Sequence, residues 1–215
     1  MKLRTTLPAL AATLALVAAP GVAHADPPAP DRGTAWARTS IRTAAQLQGQ
    51  GLAKRHLRTC SDAGAAAPAG PMAALDHMAG DWLGTGWSAG QDGISHYIQT
   101  ERIRFTDDGT LDVIGTGKDP IRGRTTVFSA HAVAAWDGSR YTWVAESGGN
   151  STVTELEVTD DGWAWELRFG PVVIRYDTTF THNGRAWHET GAVSLDGGST
   201  WQQTMDMTLV KTCEG

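Results

Sequence analysis

Arg175 and a histidine on the following predicted strand are the side chains of this sequence best placed to do chemistry. Between them, Asn183 and Gly184 predict a two-residue type I′ hairpin turn, because both residue types tolerate positive φ. In that register Arg175, Asp177 and His188 share one face of the hairpin, since side chains alternate along a strand. We predict that this face is the protein interior, where Arg175 binds a ligand carboxylate; the alternatives are that Arg175 closes an internal salt bridge or points outward.

Two histidines, His188 and His131, are candidates for acid–base or metal chemistry. A single histidine in a strand is more often a hydrogen-bonded packing residue. Metal binding needs two or three convergent ligands, and the chain contains no His-x-His or His-x-x-Glu spacing. We therefore predict no metal site and no bound cofactor.

A pocket for a flat or apolar ligand is suggested by the nine tryptophans of this 215-residue chain. We predict that Trp143 and Trp201 form a cavity wall, with core packing as the alternative role for the tryptophans. On the last predicted strand, Trp201, Met205, Met207 and Leu209 form an apolar stripe. That stripe is expected to face inward, beside either His188 or Glu189, depending on a one-residue choice of strand register.

Enzyme motifs give little support to a catalytic function. The sequence has no His-Glu-x-x-His zinc motif, no Ser-x-x-Lys motif and no glycine-rich loop of the phosphate-binding type. Glu155 and Glu157 are two residues apart on one strand face, which suggests acid–base chemistry. They precede a turn, however, and a solvated face is the preferred interpretation.

The charge of the chain is unevenly distributed around a formal net value of −5. Residues 26–71 carry six basic and three acidic residues, whereas residues 72–215 carry ten basic and twenty acidic residues. An acidic domain repels phosphates, which excludes nucleic acid as its partner. The basic segment is either a solvated arm that lies against the acidic domain or a docking element.

The first 25 residues have the pattern of a secretory signal peptide. Lys2 and Arg4 precede an apolar run over residues 7–17, and a small-residue pattern predicts cleavage after Ala25. The apolar run is too short for a stable membrane span. We therefore predict a secreted protein with no membrane span.

Turn signals of the Asp-Gly and Asn-Gly type divide residues 81–212 into short β-type runs. The connections are too short for parallel crossovers, so neighbouring strands must be antiparallel. Ten such strands predict an all-β fold, a single antiparallel up-and-down barrel, because closure removes exposed edges; a two-sheet sandwich is the alternative. The predicted strands are Trp82–Ser88, Ser95–Thr106, Leu111–Gly117, Arg124–Trp136, Arg140–Ser147, Ser151–Thr159, Trp163–Phe169, Val172–Thr181, Arg185–Leu195 and Thr200–Thr212.

These patterns divide the chain into three segments. Residues 1–25 are the signal peptide, and residues 26–71 are an N-terminal arm with a broken helix and a flexible linker. Residues 72–215 are the barrel, which opens with a short helical turn. The two cysteines of the chain, Cys60 and Cys213, bracket the barrel and are predicted to form a disulfide after export.

Both ends of the predicted barrel resemble known families. The run Leu75-x-x-Met78-x-Gly80-x-Trp82-x-Gly84-x-Gly86 resembles the short helix and Gly-x-Trp first strand of the calycin superfamily, which contains the lipocalins and the fatty-acid-binding proteins. Its glycine spacing is most similar to the nitrobindin-like ten-stranded barrels. The run Ser194-x-Asp196-Gly197-Gly198-x-Thr200-Trp201 resembles the last hairpin of secreted bacterial lipocalin-like proteins.

The resemblance covers roughly residues 72–212 and implies a barrel that holds a small molecule. It also implies structural roles for Gly80 and for Trp82, the latter as a plug at the barrel base. Nitrobindin-like proteins bind haem through a histidine near the C-terminal end, and this chain has no histidine after His188. Haem is therefore not expected, and Lys211 is only a loose stand-in for the basic residue that lipocalins pack over the first-strand tryptophan.

The sequence thus predicts a secreted, monomeric β-barrel that binds a small amphipathic or hydrophobic molecule. The first alternative is a barrel enzyme, an isomerase, cyclase or hydrolase, that uses His188 with Arg175 or a nearby carboxylate. The second alternative is a protein-interaction module of the cell envelope.

Overall fold

The structure is a computed structural model that describes residues 65–90, 93–122, 125–147 and 149–214. The predicted signal peptide, the predicted arm up to residue 64 and Cys60 lie outside the described residues, so those statements stay predictions. Within the described part of the chain, no helix is long and apolar enough to cross a membrane.

Ten strands follow a 3₁₀ helix over Pro71–Met78, which we call the plug helix. Each strand begins and ends within two residues of its predicted bounds, so the all-β prediction is confirmed. The strands are β1 (Gly80–Gly90), β2 (Gly93–Phe105), β3 (Leu111–Lys118), β4 (Thr126–Trp136), β5 (Tyr141–Ser147), β6 (Asn150–Val158), β7 (Gly162–Phe169), β8 (Val172–Thr181), β9 (Ala186–Ser194) and β10 (Gln202–Glu214).

The sheet closes on itself. Neighbouring strands are antiparallel, and β1 pairs with both β2 and β10, which gives a barrel rather than a sandwich. Asn183 and Gly184 in the turn between β8 and β9 have the predicted positive φ, 56° and 74°, and His182 before them is also left-handed, with φ of 55°. The predicted register across this turn is confirmed, since Thr179 pairs with His188.

Burial alternates along the strands and so identifies the inner face. In β2 the buried side chains are Tyr97, Gln99, Glu101, Ile103 and Phe105, whereas the intervening residues are more exposed. Paired residues on neighbouring strands point to the same side of the sheet, so the strand pairing extends this inner face from β2 around the barrel.

The plug helix closes one end of the barrel, the plug end. Trp82 of β1 is buried there, and its Nε1 donates a hydrogen bond to the carbonyl oxygen of Met78 at 2.9 Å. The Nζ of Lys211 lies 5.0 Å from the centre of the Trp82 ring and donates to the carbonyl oxygen of His77 at 2.7 Å. Lys211 therefore joins the last strand to the Trp82 ring and to the plug helix.

Gly80 begins β1 in a conformation that side chains disfavour. Its φ is 146°, and a Cβ at this position would collide with the carbonyl oxygen of Cys213 in β10. This close approach is a local reason for glycine at the start of the barrel. Cys213 is itself buried, and its predicted disulfide to Cys60 involves a residue outside the described ones.

Candidate ligand site in the barrel interior

The interior of the barrel differs between its two ends. Near the plug end, the inner-facing side chains of Ile103, Leu111 and Leu209 are fully buried. Towards the opposite end, Trp165 and Tyr176 also face inward but are only half-buried. The interior is therefore less tightly filled in the half away from the plug helix, and we call this half the lumen.

The end of the barrel away from the plug helix carries exposed apolar side chains. The hairpin turns β1–β2, β3–β4, β5–β6, β7–β8 and β9–β10 all lie at this end, because the plug helix leads into β1 at the other. We call the exposed apolar residues of these turns and the adjoining strand segments the apolar rim: Ile94, Ile121, Val127, Val153, Phe169, Leu195 and Trp201. Apolar surface around the mouth of a lumen suits a ligand with an apolar part.

Glycines flank the polar inner-facing side chains of β2 on both sides. A Cβ on Gly115 of β3 would stand 2.6 Å from Oε1 of Glu101, and a Cβ on Gly86 of β1 would stand 2.7 Å from the ring of Tyr97. Real Cβ atoms do not approach so closely, so the glycines provide the space in which these side chains lie. The inner-facing glycines next to β2 are Gly84, Gly86, Gly115 and Gly117.

Glu101 is an acid buried inside the barrel, with only 9% of its surface exposed. The Nε2 of Gln99 donates a hydrogen bond to Oε1 of Glu101, whereas Oε2 has no partner among the described residues. Burial raises the pKa of Glu101 to about 8; the hydrogen bond from Gln99 opposes this shift and the nearby Glu189 adds to it. The Glu101 side chain is therefore mostly protonated at pH 7.

Glu189 of β9 projects into the same lumen. Its Oε2 accepts hydrogen bonds from Oγ1 of Thr178 at 2.9 Å and from Nε1 of Trp187 at 3.1 Å. Burial raises the pKa of Glu189 to about 7, against the effect of these two hydrogen bonds. Burial, with a contribution from Glu189, raises the pKa of Tyr176 to about 12, which places that phenol in the electrostatic range of the same carboxyl group.

Four buried polar atoms of the interior have no hydrogen-bond partner among the described residues. The acceptors are Oε1 of Gln99 and Oε2 of Glu101, and the donors are the Nε1 atoms of Trp143 and Trp163. A fifth such atom, Nε2 of His77, belongs to the plug helix. Buried polar groups are nearly always paired, and an unpaired one costs about 1–3 kcal/mol. Such a set is expected where a ligand or ordered water completes the hydrogen bonds.

Aromatic rings form much of the interior wall. The ring of Trp163 lies 5.3 Å from that of Trp143 and 5.9 Å from that of Trp187. Trp165 stacks on Tyr176 with a centroid distance of 4.3 Å. Interlocked aromatic rings give a large and rigid apolar surface.

A cavity of about 490 Å³ opens through the barrel wall between β6 and β7. These strands pair only over Leu156–Val158 of β6. Beyond that segment they separate, with Oγ1 of Thr154 donating to the carbonyl oxygen of Glu166 at 2.7 Å. The lining combines the inner-facing Trp165 with outer-face side chains that include Val153, Glu155 and Arg175, so the cavity is a cleft in the barrel wall.

The prediction that Arg175 faces the interior is wrong. Its side chain is 41% exposed on the outer face, where it pairs with Asp177 at 2.9 Å and with Glu166 at 3.7 Å. The alternative that Arg175 points outward is therefore the one that the structure shows, and the ion pairs of Arg175 lie on the outside of the barrel. The reason is that the other face of β8 carries Tyr176 and Phe180, and burial of these aromatic side chains is more favourable than burial of the face that carries Arg175.

Both candidate histidines also lie on the outer face. The Nε2 of His188 is 3.3 Å from Oδ2 of Asp206, and the Nε2 of His131 is 2.6 Å from Oδ1 of Asp112. These hydrogen bonds raise the pKa of each histidine. The predicted interior position of His188 is wrong, so the enzyme alternative loses both its histidine and its arginine from the lumen.

The aromatic and methionine candidates divide between interior and rim. Trp201 precedes β10, is 43% exposed and donates from Nε1 to the carbonyl oxygen of Gly198, so its predicted place in a cavity wall is wrong. Trp143 is buried and faces inward, as do Met205 and Met207. Ligand contact by Trp143, Met205 and Met207 stays a prediction. Met207 pairs with Glu189, which settles the register left open by the sequence.

Three polar residues of the lumen, Gln99, Glu101 and Glu189, were absent from the candidates derived from sequence. A signal for two of them exists in residues 97–105, where Gln99 and Glu101 share the parity of an otherwise apolar face. A polar side chain on an apolar face is unusual enough to mark a site. Glu189 carries the same signal on the hairpin face opposite to Arg175.

Residues 86–90 read Gly-Trp-Ser-Ala-Gly, the spacing of a hydrolase nucleophile elbow. In the structure they form the end of β1, where Ser88 pairs with Ser95 and Met205. An elbow requires a strand–turn–helix geometry, so this segment is not one. In the described ranges, no three His, Cys, Asp or Glu side chains are grouped to hold a metal ion.

Together these features define a closed, ten-stranded antiparallel barrel of calycin-like architecture, with a plugged base and a lumen that contains acids and aromatic rings. Among solved structures, the Rv2717c protein from M. tuberculosis is similar with a TM-score of 0.50 and 14% identity, over 66% of this chain and 98% of that chain. This likeness shows the fold alone. The S-type phycobiliprotein lyase CPES from Guillardia theta gives a TM-score of 0.45 and 12% identity, over 64% of this chain and 89% of that chain. No protein-family model and no curated protein sequence matches the chain.

Proposed function

We propose that this protein is a secreted barrel whose lumen binds a small amphipathic molecule. The observation that carries the proposal is the set of buried polar atoms without a partner, on Gln99, Glu101, Trp143 and Trp163, in a barrel with an accessible lumen. A site built for a polar ligand group holds hydrogen-bonding atoms that the protein itself does not pair.

The surroundings of these atoms support a ligand with an apolar body and a polar head. Trp165 and Tyr176 offer an aromatic surface, and Met205 adds a flexible apolar contact. Glu101 and Glu189 offer polar contacts deeper in the barrel.

Secretion is the second part of the proposal and rests on residues 1–25 of the sequence. We expect the protein recovered from the culture medium of its source to begin at Asp26. An N-terminal sequence that starts at Met1 would contradict export with cleavage.

Native mass spectrometry of the protein purified from its source tests the binding proposal. We expect a mass excess that is lost on denaturation, because the ligand is held without a covalent bond. Replacing Trp163→Phe removes one unpaired donor and is expected to lower the occupancy. The matched control Trp136→Phe, at the β4–β5 turn of the plug end, is expected to leave it unchanged.

The binding proposal fails under one clear outcome. In that outcome, the protein purified from its source carries no adduct, and its tryptophan emission does not respond to cationic, neutral or anionic amphiphiles.

Acid–base catalysis in the lumen is a second candidate function. It is favoured by one observation, the pKa values of about 8 for Glu101 and about 7 for Glu189, since acid–base catalysts work best near the operating pH. Its test is to incubate the ligand identified by mass spectrometry with the protein and to follow its chemical conversion. Conversion that Glu189→Gln abolishes would support catalysis, and a ligand recovered unchanged would exclude it.

A further inference from the structure

The charged groups of the lumen are of one sign. Glu101 and Glu189 are the inner-facing acids of the described residues. The one inner-facing base in the same residues is Lys211, whose Nζ lies at the plug end over Trp82 and against the carbonyl oxygen of His77. The lumen beyond the plug end therefore presents carboxyl groups without a basic counterpart from the described chain.

Two such carboxyl groups are costly to ionise in a poorly solvated interior. A ligand that brings a positive charge allows them to ionise and gains charge-assisted hydrogen bonds. An anionic ligand instead adds a further like charge to the lumen. The raised pKa values of Glu101 and Glu189 agree with the lack of a counter-charge.

We infer that the polar head of the ligand is a cation with several N–H donors, a protonated amine, amidine or guanidine, that pairs with Glu101 and Glu189. This inference rests on the proposed function, since it names the chemical class of the molecule bound in the lumen.

The unpaired acceptors of the interior match such a head. Oε1 of Gln99 and Oε2 of Glu101 are buried and have no partner among the described residues, and Gln99 is only 1% exposed. An ammonium group has three donors and no acceptor, so it is complementary to these oxygens.

The charge of the whole barrel domain favours the same class of ligand. Residues 72–215 contain ten basic and twenty acidic residues, and this excess attracts cations and repels anions during diffusion to the lumen. The carboxylate ligand expected from an interior Arg175 is thereby replaced by a ligand of the opposite charge.

A matched series of probes tests the sign of the head group on the unaltered protein. The probes are 2-phenylethylammonium, 2-phenylethanol and phenylacetate, which share an aromatic body and differ in charge. Titration calorimetry at pH 7.5 is expected to show binding of the ammonium at least tenfold tighter than that of the alcohol, with the carboxylate weakest. Equal or tighter binding of the carboxylate would overturn the inference.

Substitution of each acid locates the cation. Glu101→Gln and Glu189→Gln keep the side-chain shape, and each is expected to weaken the ammonium about 10- to 100-fold, the range for loss of a charge-assisted hydrogen bond, while changing the alcohol less than threefold. Glu146→Gln is the matched control, because Glu146 is an exposed outer-face acid 3.5 Å from His131. It removes one negative charge from the protein without touching the lumen.

The outcomes separate this inference from the proposed function. Binding of the alcohol or of neutral amphiphiles without preference for the ammonium leaves a lumen ligand in place but refutes the cation. Equal losses of affinity in all three variants refute pairing in the lumen, because the preference for the ammonium would then come from the net charge of the protein. No binding of any probe or natural ligand removes the proposed function together with the inference.

Discussion

At the scale of the residue, the candidate site depends on acids that the fold holds in an unfavourable environment. Glu101 accepts one hydrogen bond from Gln99, and Glu189 accepts two on its Oε2. Among the described residues, neither acid faces a base in the lumen, and burial dominates their pKa values although His188 opposes the shift of Glu189. Binding chemistry and stability are therefore coupled through the same two side chains.

Stability should fall between pH 5 and pH 8 because of Glu101. Its pKa rises from the ordinary 4.5 to about 8 on folding, so its contribution is fully present below pH 4.5 and is lost as the pH rises to about 8. Glu101→Gln is expected to flatten this slope, which amounts to about 4 kcal/mol by pH 8 for a pKa that rises from 4.5 to about 8. Urea unfolding at several pH values measures the effect.

Other titrating groups define the control for this pH experiment. Glu189 and Tyr97 face the same lumen as Glu101, and Glu189 should contribute a parallel slope that ends near pH 7. Asp137 and Asp196 have pKa values lowered to about 2 by hydrogen bonds in turns, so their contribution is lost only as the pH falls towards 2. A slope that Glu101→Gln leaves intact would show that Glu101 is solvated.

Arg175→Met tests the outer-face position of this arginine. An exposed ion pair contributes about 0–1 kcal/mol, so the free energy of unfolding should change by less than about 1 kcal/mol. The affinity of 2-phenylethylammonium should stay within threefold of the parent value. A loss of several kcal/mol in a thermal or urea melt would instead indicate that Arg175 pairs with a buried carboxylate.

At the scale of the element, β2 is the strand that carries polar groups into the lumen, and its neighbours are adapted to it. The glycines of β1 and β3 at the inner face leave room beside Tyr97, Gln99 and Glu101. The limited pairing between β6 and β7 opens the wall on another side of the barrel. The site is thus produced by what neighbouring strands leave out as well as by what β2 contributes.

Gly115→Ala tests this adaptation. The added Cβ would lie 2.6 Å from Oε1 of Glu101, so we expect a loss of about 1–3 kcal/mol from overpacking and at least tenfold weaker binding of 2-phenylethylammonium. Gly90→Ala at the end of β1 is the matched control, because the atom nearest to a Cβ added there, the carbonyl oxygen of Gly93, is 4.0 Å away. If both variants behave alike, the glycine at 115 is not there to accommodate Glu101.

At the scale of the whole molecule, the barrel has a closed plug end and a lumen towards the opposite end. Trp82 and Lys211 join the plug helix to the first and last strands through hydrogen bonds to its carbonyl oxygens. The predicted disulfide would add a covalent link between the arm and the end of β10. Rigidity at the plug end and accessibility at the other are what a ligand-binding barrel needs.

Thiol titration of the exported protein checks the disulfide. We expect no reactive thiol under denaturing, non-reducing conditions, and two after reduction. Reduction should lower the melting temperature, because a bridge across a long loop contributes roughly 2–5 kcal/mol. Two reactive thiols before reduction would refute the pairing of Cys60 with Cys213.

The sequence by itself determined the ten strands, the antiparallel connections and the register of the hairpin at Asn183 and Gly184. These depend on local signals, since turn residues with positive φ and alternating side chains act over a few residues. The roles of Gly80 and Trp82 at the base came instead from the resemblance of residues 75–86 to the first strand of calycins.

Only the tertiary structure decided which face of each strand is inside. A period of two is symmetric between the faces, so Arg175 and His188 were placed inward on a correct register and the wrong side. Closure of the barrel removes this ambiguity, because burial of Tyr176, Phe180 and Trp187 outweighs that of the charged face. The position of Glu101 from β2 and Glu189 from β9 on one inner face is likewise a property of closure, since the two residues are far apart in the chain.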